Sequence, residues 1–176
     1  MTTATLSATA FRTAWEHLDL GAMPYVLHVQ DEPAPWDHLA DQGLARGGEL
    51  DPWLGAVFKL IAHPPRSADL RLGLGTTAVR ALAAPTGSGS VLAVLTRDVL
   101  TVREVAADLA DALIGLLPEL PGGRVGGPDL SGRFGAAAID RSGRRTRAAD
   151  VVDFHGPTDP AGLRAGIAGL LSGFPG

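Results

Sequence analysis

Residues 68–105 read ADLRLGLGTTAVRALAAPTGSGSVLAVLTRDVLTVREV. Apolar residues gather in four short runs, 69–74, 78–84, 90–95 and 99–105, and the gaps between them hold Gly, Thr or Asp. Runs of this length, rich in Leu and Val and bounded by turn residues, read as strands. An antiparallel meander is the simplest arrangement for four of them in succession.

Upstream of the meander the period changes. Phe11, Ala14, Trp15 and Leu18 follow Ser7 at i, i+3, i+4, i+7, which predicts a helix over 8–19 that Gly21 and Pro24 end. Residues 25–29 alternate and predict a short strand or extended segment. A charged, Pro-containing stretch then leads to a helix around Trp36, Leu39 and Leu44. Asp51 followed by Pro52 is a helix cap with proline at the first helical position, where its missing N–H costs nothing. Trp53, Val57, Leu60 and Ile61 form the inward stripe, and His63, Pro64 and Pro65 stop the helix.

Downstream, helix spacing returns over 106–117 with Leu109, Leu113, Leu116 and Leu117 inward. A Gly/Pro-rich loop spans 121–132. Residues 134–139 and 147–154 read as a hairpin around Arg141, Ser142 and Gly143, and a last helix covers 161–171 after Pro160. The order strand, turn, strand, helix therefore occurs twice. Leu109 to Gly122 aligns without a gap on Leu163 to Gly176 with six identities, Leu113 facing Ile167 and Leu120 facing Phe174. Two such units around a pseudo-two-fold axis would join their hairpins into one antiparallel sheet, with a helix laid on a face by each. The expected class is α+β: a central antiparallel β-sheet with flanking helices and quasi-two-fold character. One domain over 1–176 is expected, with a helical N-terminal region over 1–66 and pseudo-repeats over 67–122 and 132–176. A sheet with a covered face and an open face or edge suits docking of another chain.

Composition narrows the function. Aromatics make up 5% of 176 residues, so the core must rest on Ala, Leu and Val. Cys is absent, which excludes disulfides, thiolate metal sites and thiol nucleophiles and suits a reducing compartment. No stretch reaches the roughly 20 apolar residues of a membrane span. Residues 1–10 lack a secretory pattern, so the cytoplasm is the expected location and no membrane insertion is expected. A net charge of -4 offers no overall attraction to nucleic acid.

Catalytic patterns find no support. The histidines at 17, 28, 38, 63 and 155 include no i, i+4 pair, and His28, His38, Asp31 and Asp37 make a site only if folding gathers them. Gly73-Leu74-Gly75 lies between strands with no helix start after it, and Thr86 to Ser90 lacks a P-loop lysine. Asp108 and Asp111, like Asp37 and Asp41, share solvent faces of helices. Arg141, Arg144, Arg145 and Arg147 form the one dense basic cluster. As a hairpin turn it reads first as solvated and protective against edge pairing. Without interleaved aromatics, nucleic-acid binding through Arg141–Arg147 is the weaker alternative. No catalytic residue, cofactor or metal is expected.

A family resemblance follows from several stretches in order. Trp15 to Tyr25, WEHLDLGAMPY, resembles the Trp helix running into Leu-Gly-x-x-Pro-Tyr of the EspG family of type VII secretion-associated chaperones. Leu44 to Leu54, Asp69 to Leu72 and Val91 to Leu95 are similar to the family's next elements. Gly132-Arg133-Phe134-Gly135 with the Arg-rich turn to Arg147 resembles its Gly-Gln-Phe-Gly hairpin. The resemblance implies a quasi-two-fold central sheet with helical bundles, and a cytosolic chaperone that binds the helical tip of PPE proteins in PE–PPE pairs until an ESX system exports them. Two departures stand out: family members usually carry a helical segment before that hairpin, and an extra strand before the last helix.

The expected partner is thus a helical PE/PPE-like client, with a self-associating scaffold, a homodimer, as the alternative. The expected contact surface combines Arg71, Leu72, Leu74 and Arg80 on the meander, the tip formed by Pro85, Gly87, Ser88 and Gly89, and Phe134.

Overall fold

The structure is a computed structural model that describes residues 2–174. Met1 lies outside the described residues, as do Pro175 and Gly176, the last two positions of the repeat comparison.

The chain opens with a strand that the sequence did not announce. β1 (Thr3–Ser7) pairs antiparallel with residues 99–103 and runs straight into α1 (Ala8–His17). Ser7 ends the strand and caps the helix, its Oγ accepting from the Ala10 N–H at 3.1 Å. Phe11, Ala14 and Trp15 are buried on the predicted face. Residues 25–27 form a 3-10 turn and not the expected extended segment, because Pro24 starts a turn that the Leu27 N–H closes on the Pro24 carbonyl. After α2 (Asp37–Asp41) come the short strands β2 (Ala45–Arg46) and β3 (Glu49–Leu50), which pair with each other. α3 (Pro52–Ala62) starts where the Asp51-Pro52 pair predicts, with Asp51 accepting from the Leu54 N–H at 3.0 Å.

The meander appears as β4 (Arg66–Leu74), β5 (Thr77–Pro85), β6 (Ser90–Thr96) and β7 (Val99–Val105). α4 (Leu109–Ile114) is shorter than the expected 106–117, since Asp108 caps it and Gly115 ends it. Between α4 and residue 130 the only regular piece is a 3-10 turn over Pro121–Gly123. β8 (Leu130–Ile139) begins inside the expected loop. Its expected hairpin partner splits into β9 (Arg145–Arg147) and β10 (Val152–His155), which pair with different stretches of β8. An isolated bridge at Thr158 then leads to α5 (Pro160–Ser172).

Among the described residues, eight strands make one antiparallel sheet in the order β1-β7-β6-β5-β4-β8-β10, with β9 beside β8. β4 and β5 lie at its centre. β6, β7 and α4 on one side match β8, β10 and α5 on the other, and antiparallel neighbours related in this way fit a two-fold axis between β4 and β5. The letters and the structure agree where the helices meet. Leu109, Leu113, Leu163 and Ile167 share one apolar cluster with Leu70, Leu72 and Phe134 on that face. Gly132 has no side chain because the Phe154 ring takes the space that a Cβ would fill.

The other face is covered differently. Leu82 and Ala84 of β5, Val91, Ala93 and Leu95 of β6 and Leu100 and Val102 of β7 pack against α1, α3 and β1 residues Ala4 and Leu6. Phe11, Trp15 and Phe58 fill that layer with edge-to-face contacts, the Phe11 and Phe58 centroids 5.2 Å apart. These helices stop short of the second half of the sheet. The fold therefore has two covered layers and one uncovered corner, where the open face expected from the repeat is reduced to a patch across four strands.

Candidate functional site

A single cross-strand row shows where the cover ends. Leu6, Leu100, Leu95, Arg80, Arg71, Arg133 and Asp153 are register partners on successive strands from β1 to β10. Side chains alternate between faces along a strand, so all seven lie on one face. The three leucines are buried beneath the N-terminal helices. The three arginines stand on the uncovered corner.

Small residues make the floor beside them. Ala78, Gly73 and Ser131 are register partners in the next row, and with Arg71, Arg80, Arg133 and His155 they line a shallow groove of about 640 Å³. The 3-10 turn at 25–27 packs on β5 and β4 next to this groove. Tyr25 is 68% exposed, and the Arg71 guanidinium lies 4.3 Å from its ring centroid, a cation–π contact. Arg80 donates to the His28 carbonyl at 2.9 Å and is lowered from its ordinary pKa by burial first and by Arg71 second. Arg133 forks onto Asp153 at 2.6 and 3.1 Å, and this holds the Asp153 carboxyl below its usual range. A second cleft of about 370 Å³ continues past Tyr25 toward His28 and Asp31 and shares Arg71 and Arg80.

The expected contact residues separate. Arg71 and Arg80 are direct cross-strand partners on the corner, whereas Leu74, 53% exposed, ends β4 on the opposite face beside its register partner Leu130. Leu72 points to the opposite face and is buried there. Pro85, Gly87, Ser88 and Gly89 belong to the β5–β6 turn, at the other end of β5 from Leu74. Gly89 is needed there because a Cβ would run into the Val105 carbonyl. Phe134 is corrected from a surface to a core position: it is 0% exposed and stacks on Phe154 with centroids 5.5 Å apart. The alternation that turns Arg133 outward turns Phe134 in. Tyr25, Arg133 and Asp153 were missed as surface residues, although Tyr25 and Arg133 lie inside two of the stretches that carry the family resemblance.

The arginine cluster at 141–147 also reads differently in three dimensions. Arg145 donates to the carbonyls of Ile61 and Ala62, at 3.4 and 2.9 Å, and so caps the C-terminal end of α3. Arg147 reaches Asp69 with its Nη2 at 3.3 and 3.0 Å from the two carboxylate oxygens. Gly135 makes this approach feasible, since a Cβ would stand 2.7 Å from that nitrogen. Asp69 is 4% exposed, and burial pushes its carboxyl up while Arg147 pulls it some of the way back. Two of the four arginines are thereby committed inward, and the cluster does not make one basic surface.

His28 and Asp31 line the smaller cleft, whereas Asp37 and His38 stand on α2. Among the described residues no group of three or more His, Asp and Glu stands close enough to hold a metal ion, and no helix is long and apolar enough to cross a membrane.

Comparison with known proteins gives the site a context. Across the chain the fold is similar to the solved structure of the Mycobacterium tuberculosis type VII secretion system chaperone EspG5 in complex with a PE25–PPE41 dimer. The TM-score is 0.74 at 14% identity, covering 99% of this chain and 97% of that one. No curated protein sequence matches. The EspG family model matches residues 7–131, well over half of the length, from α1 through the meander and α4 to the first residues of β8. The chain belongs to the EspG family.

Proposed function

We propose that this protein is a cytoplasmic type VII secretion chaperone that holds a helical client of the PE/PPE kind, acting by binding and not by catalysis. The uncovered corner carries this reading. An antiparallel sheet face that ends in small residues, rimmed by arginines and with exposed Tyr25 in the adjoining cleft, is shaped to receive a helix tip. Family membership supports it, as does the likeness to a chaperone solved with a PE–PPE dimer bound. Arg71 and Arg80 are the contact residues, with Tyr25 and Arg133 beside them, and Leu74 on the opposite face and the Pro85–Gly89 tip lie outside the contact.

Co-expression with PE–PPE-type pairs, followed by size exclusion and mass spectrometry, tests the reading. A defined heteromeric complex is expected. Ala78→Leu, which fills the floor of the groove, should weaken that complex by roughly tenfold or more while leaving the fold intact. A chain that elutes only as its own dimer would replace this reading by the self-associating scaffold.

A further inference from the structure

Arg71 and Arg80 face each other directly across β4 and β5, an arrangement of like charges that weakens a sheet. Neither forms an ion pair with a carboxylate. The ion pairs among the described residues are Arg12–Glu16, Arg133–Asp153, Arg147–Asp69 and Arg164–Asp111. A guanidinium carries five N–H donors. Arg80 gives one to the His28 carbonyl, and Arg71 lies against the Tyr25 ring. A third arginine, Arg97 of the β6–β7 turn, lines the same 370 Å³ cleft with φ at 52°, in the left-handed region that disfavours side chains. Asp31, the acidic residue lining this cleft, pairs with none of the three. An acidic protein of net charge -4 thus keeps a pocket with three arginines outside any ion pair beside its open sheet corner.

We propose that this pocket is a carboxylate receptor: an Asp or Glu side chain at the helical tip of the client seats between Arg71 and Arg80, its stem along Tyr25. The inference rests on the chaperone reading above and names what the client must present. Charge complementarity is the argument. Two guanidinium forks with spare donors match the oxygens of one carboxylate, and the bound anion removes the repulsion that the free chain carries. Recognition of this kind selects clients by one charge and leaves the rest of the corner to shape.

Two measurements test it. The first titrates the protein alone with sodium acetate at constant ionic strength while following the arginine Nε–H signals by NMR. The Arg71 and Arg80 signals should shift and saturate, and that of exposed Arg144 should not. Equal shifts at all three, or a stronger response to inorganic phosphate than to acetate, would overturn the proposal.

The second measures affinity for a co-purifying PE–PPE-type pair in low and high salt. Arg71→Gln with Arg80→Gln should weaken binding by roughly thirtyfold in low salt and flatten the salt dependence, with Arg144→Gln within about twofold of wild type. The double variant should melt no lower than wild type, because the like-charge pair is gone. Arg71→Lys with Arg80→Lys, which keeps charge and loses the fork, should fall between them. A Lys in place of the client's acidic residue should restore binding to Arg80→Glu. Unchanged affinity of the double Gln variant would overturn this inference alone, whereas a wild-type chain that binds no PE–PPE pair would overturn the chaperone reading and the inference with it.

Discussion

Within one row of the sheet, Leu6, Leu100 and Leu95 are interior while Arg80, Arg71 and Arg133 are surface. Backbone, pleat and face are the same in both halves. What differs is the cover: α1 and α3 lie over the leucines, and the 3-10 turn at 25–27 marks the border on β5 and β4. The opposite face shows no such border, because Leu70, Leu72 and Phe134 stay apolar beneath α4 and α5. Side-chain type along the row therefore follows the extent of the helical layer, and the arginine half is where that layer was left out.

The largest expected effect comes from carrying the arginine half into the leucine half. Leu95→Arg places a charge with no partner beneath α1 and α3 and should cost at least about 4 kcal/mol, enough to unfold many domains. All three tryptophans, at 15, 36 and 53, belong to the N-terminal layer. Loss of their native fluorescence together with the far-UV circular dichroism would show that both layers unfold as one unit.

Arg147→Ala comes next. It strands the buried Asp69 carboxylate and should cost about 1–2 kcal/mol in urea at pH 7, less than a fully buried pair because Arg147 keeps nearly half its surface in water. Burial raises the folded Asp69 above its ordinary 3.8, so between the two values the native state holds a proton that the unfolded chain has released. The Asp69 contribution to stability thus declines as pH rises through that window. The cost of Arg147→Ala should accordingly shrink as pH falls through that window, because protonation removes the charge that needs the guanidinium. A cost independent of pH would assign the loss to packing.

The smallest effect on stability inverts the first exchange. Arg80→Leu extends the leucines toward the open half and should change stability by no more than ~0.5 kcal/mol, while the client complex is lost in the co-expression assay. A stability change as large as that of Leu95→Arg would erase the distinction between the halves.

The meander was legible because its strands are consecutive and its turns carry Gly, Thr and Asp, and α3 was legible through the Asp51-Pro52 cap. β1 was not. Thr3 to Ser7 is short, and only its pairing with β7 makes it a strand. The split of the last hairpin was hidden for a similar reason, since residues 145–155 divide according to which stretch of β8 each meets. For the candidate site, Arg71 and Arg80 stand on the uncovered corner but Phe134 is in the core, because which of two alternating residues faces out depends on where the helices lie. The inward roles of Arg145 and Arg147 were beyond reach. Their partners stand some eighty residues earlier and carry no local mark.

The order of synthesis gives the central position of β4 a further meaning. One edge of β4 is taken by β5 almost at once, but the other waits for β8, which leaves the ribosome only after β6, β7 and α4. During that interval a nascent chain offers a nine-residue strand with open hydrogen-bonding groups to any neighbour. The last turn of α3 waits longer still, until Arg145 arrives to occupy its carbonyls. The chain itself thus passes through an aggregation-prone stage on the way to its fold, and chains cut before residue 130 would remain there.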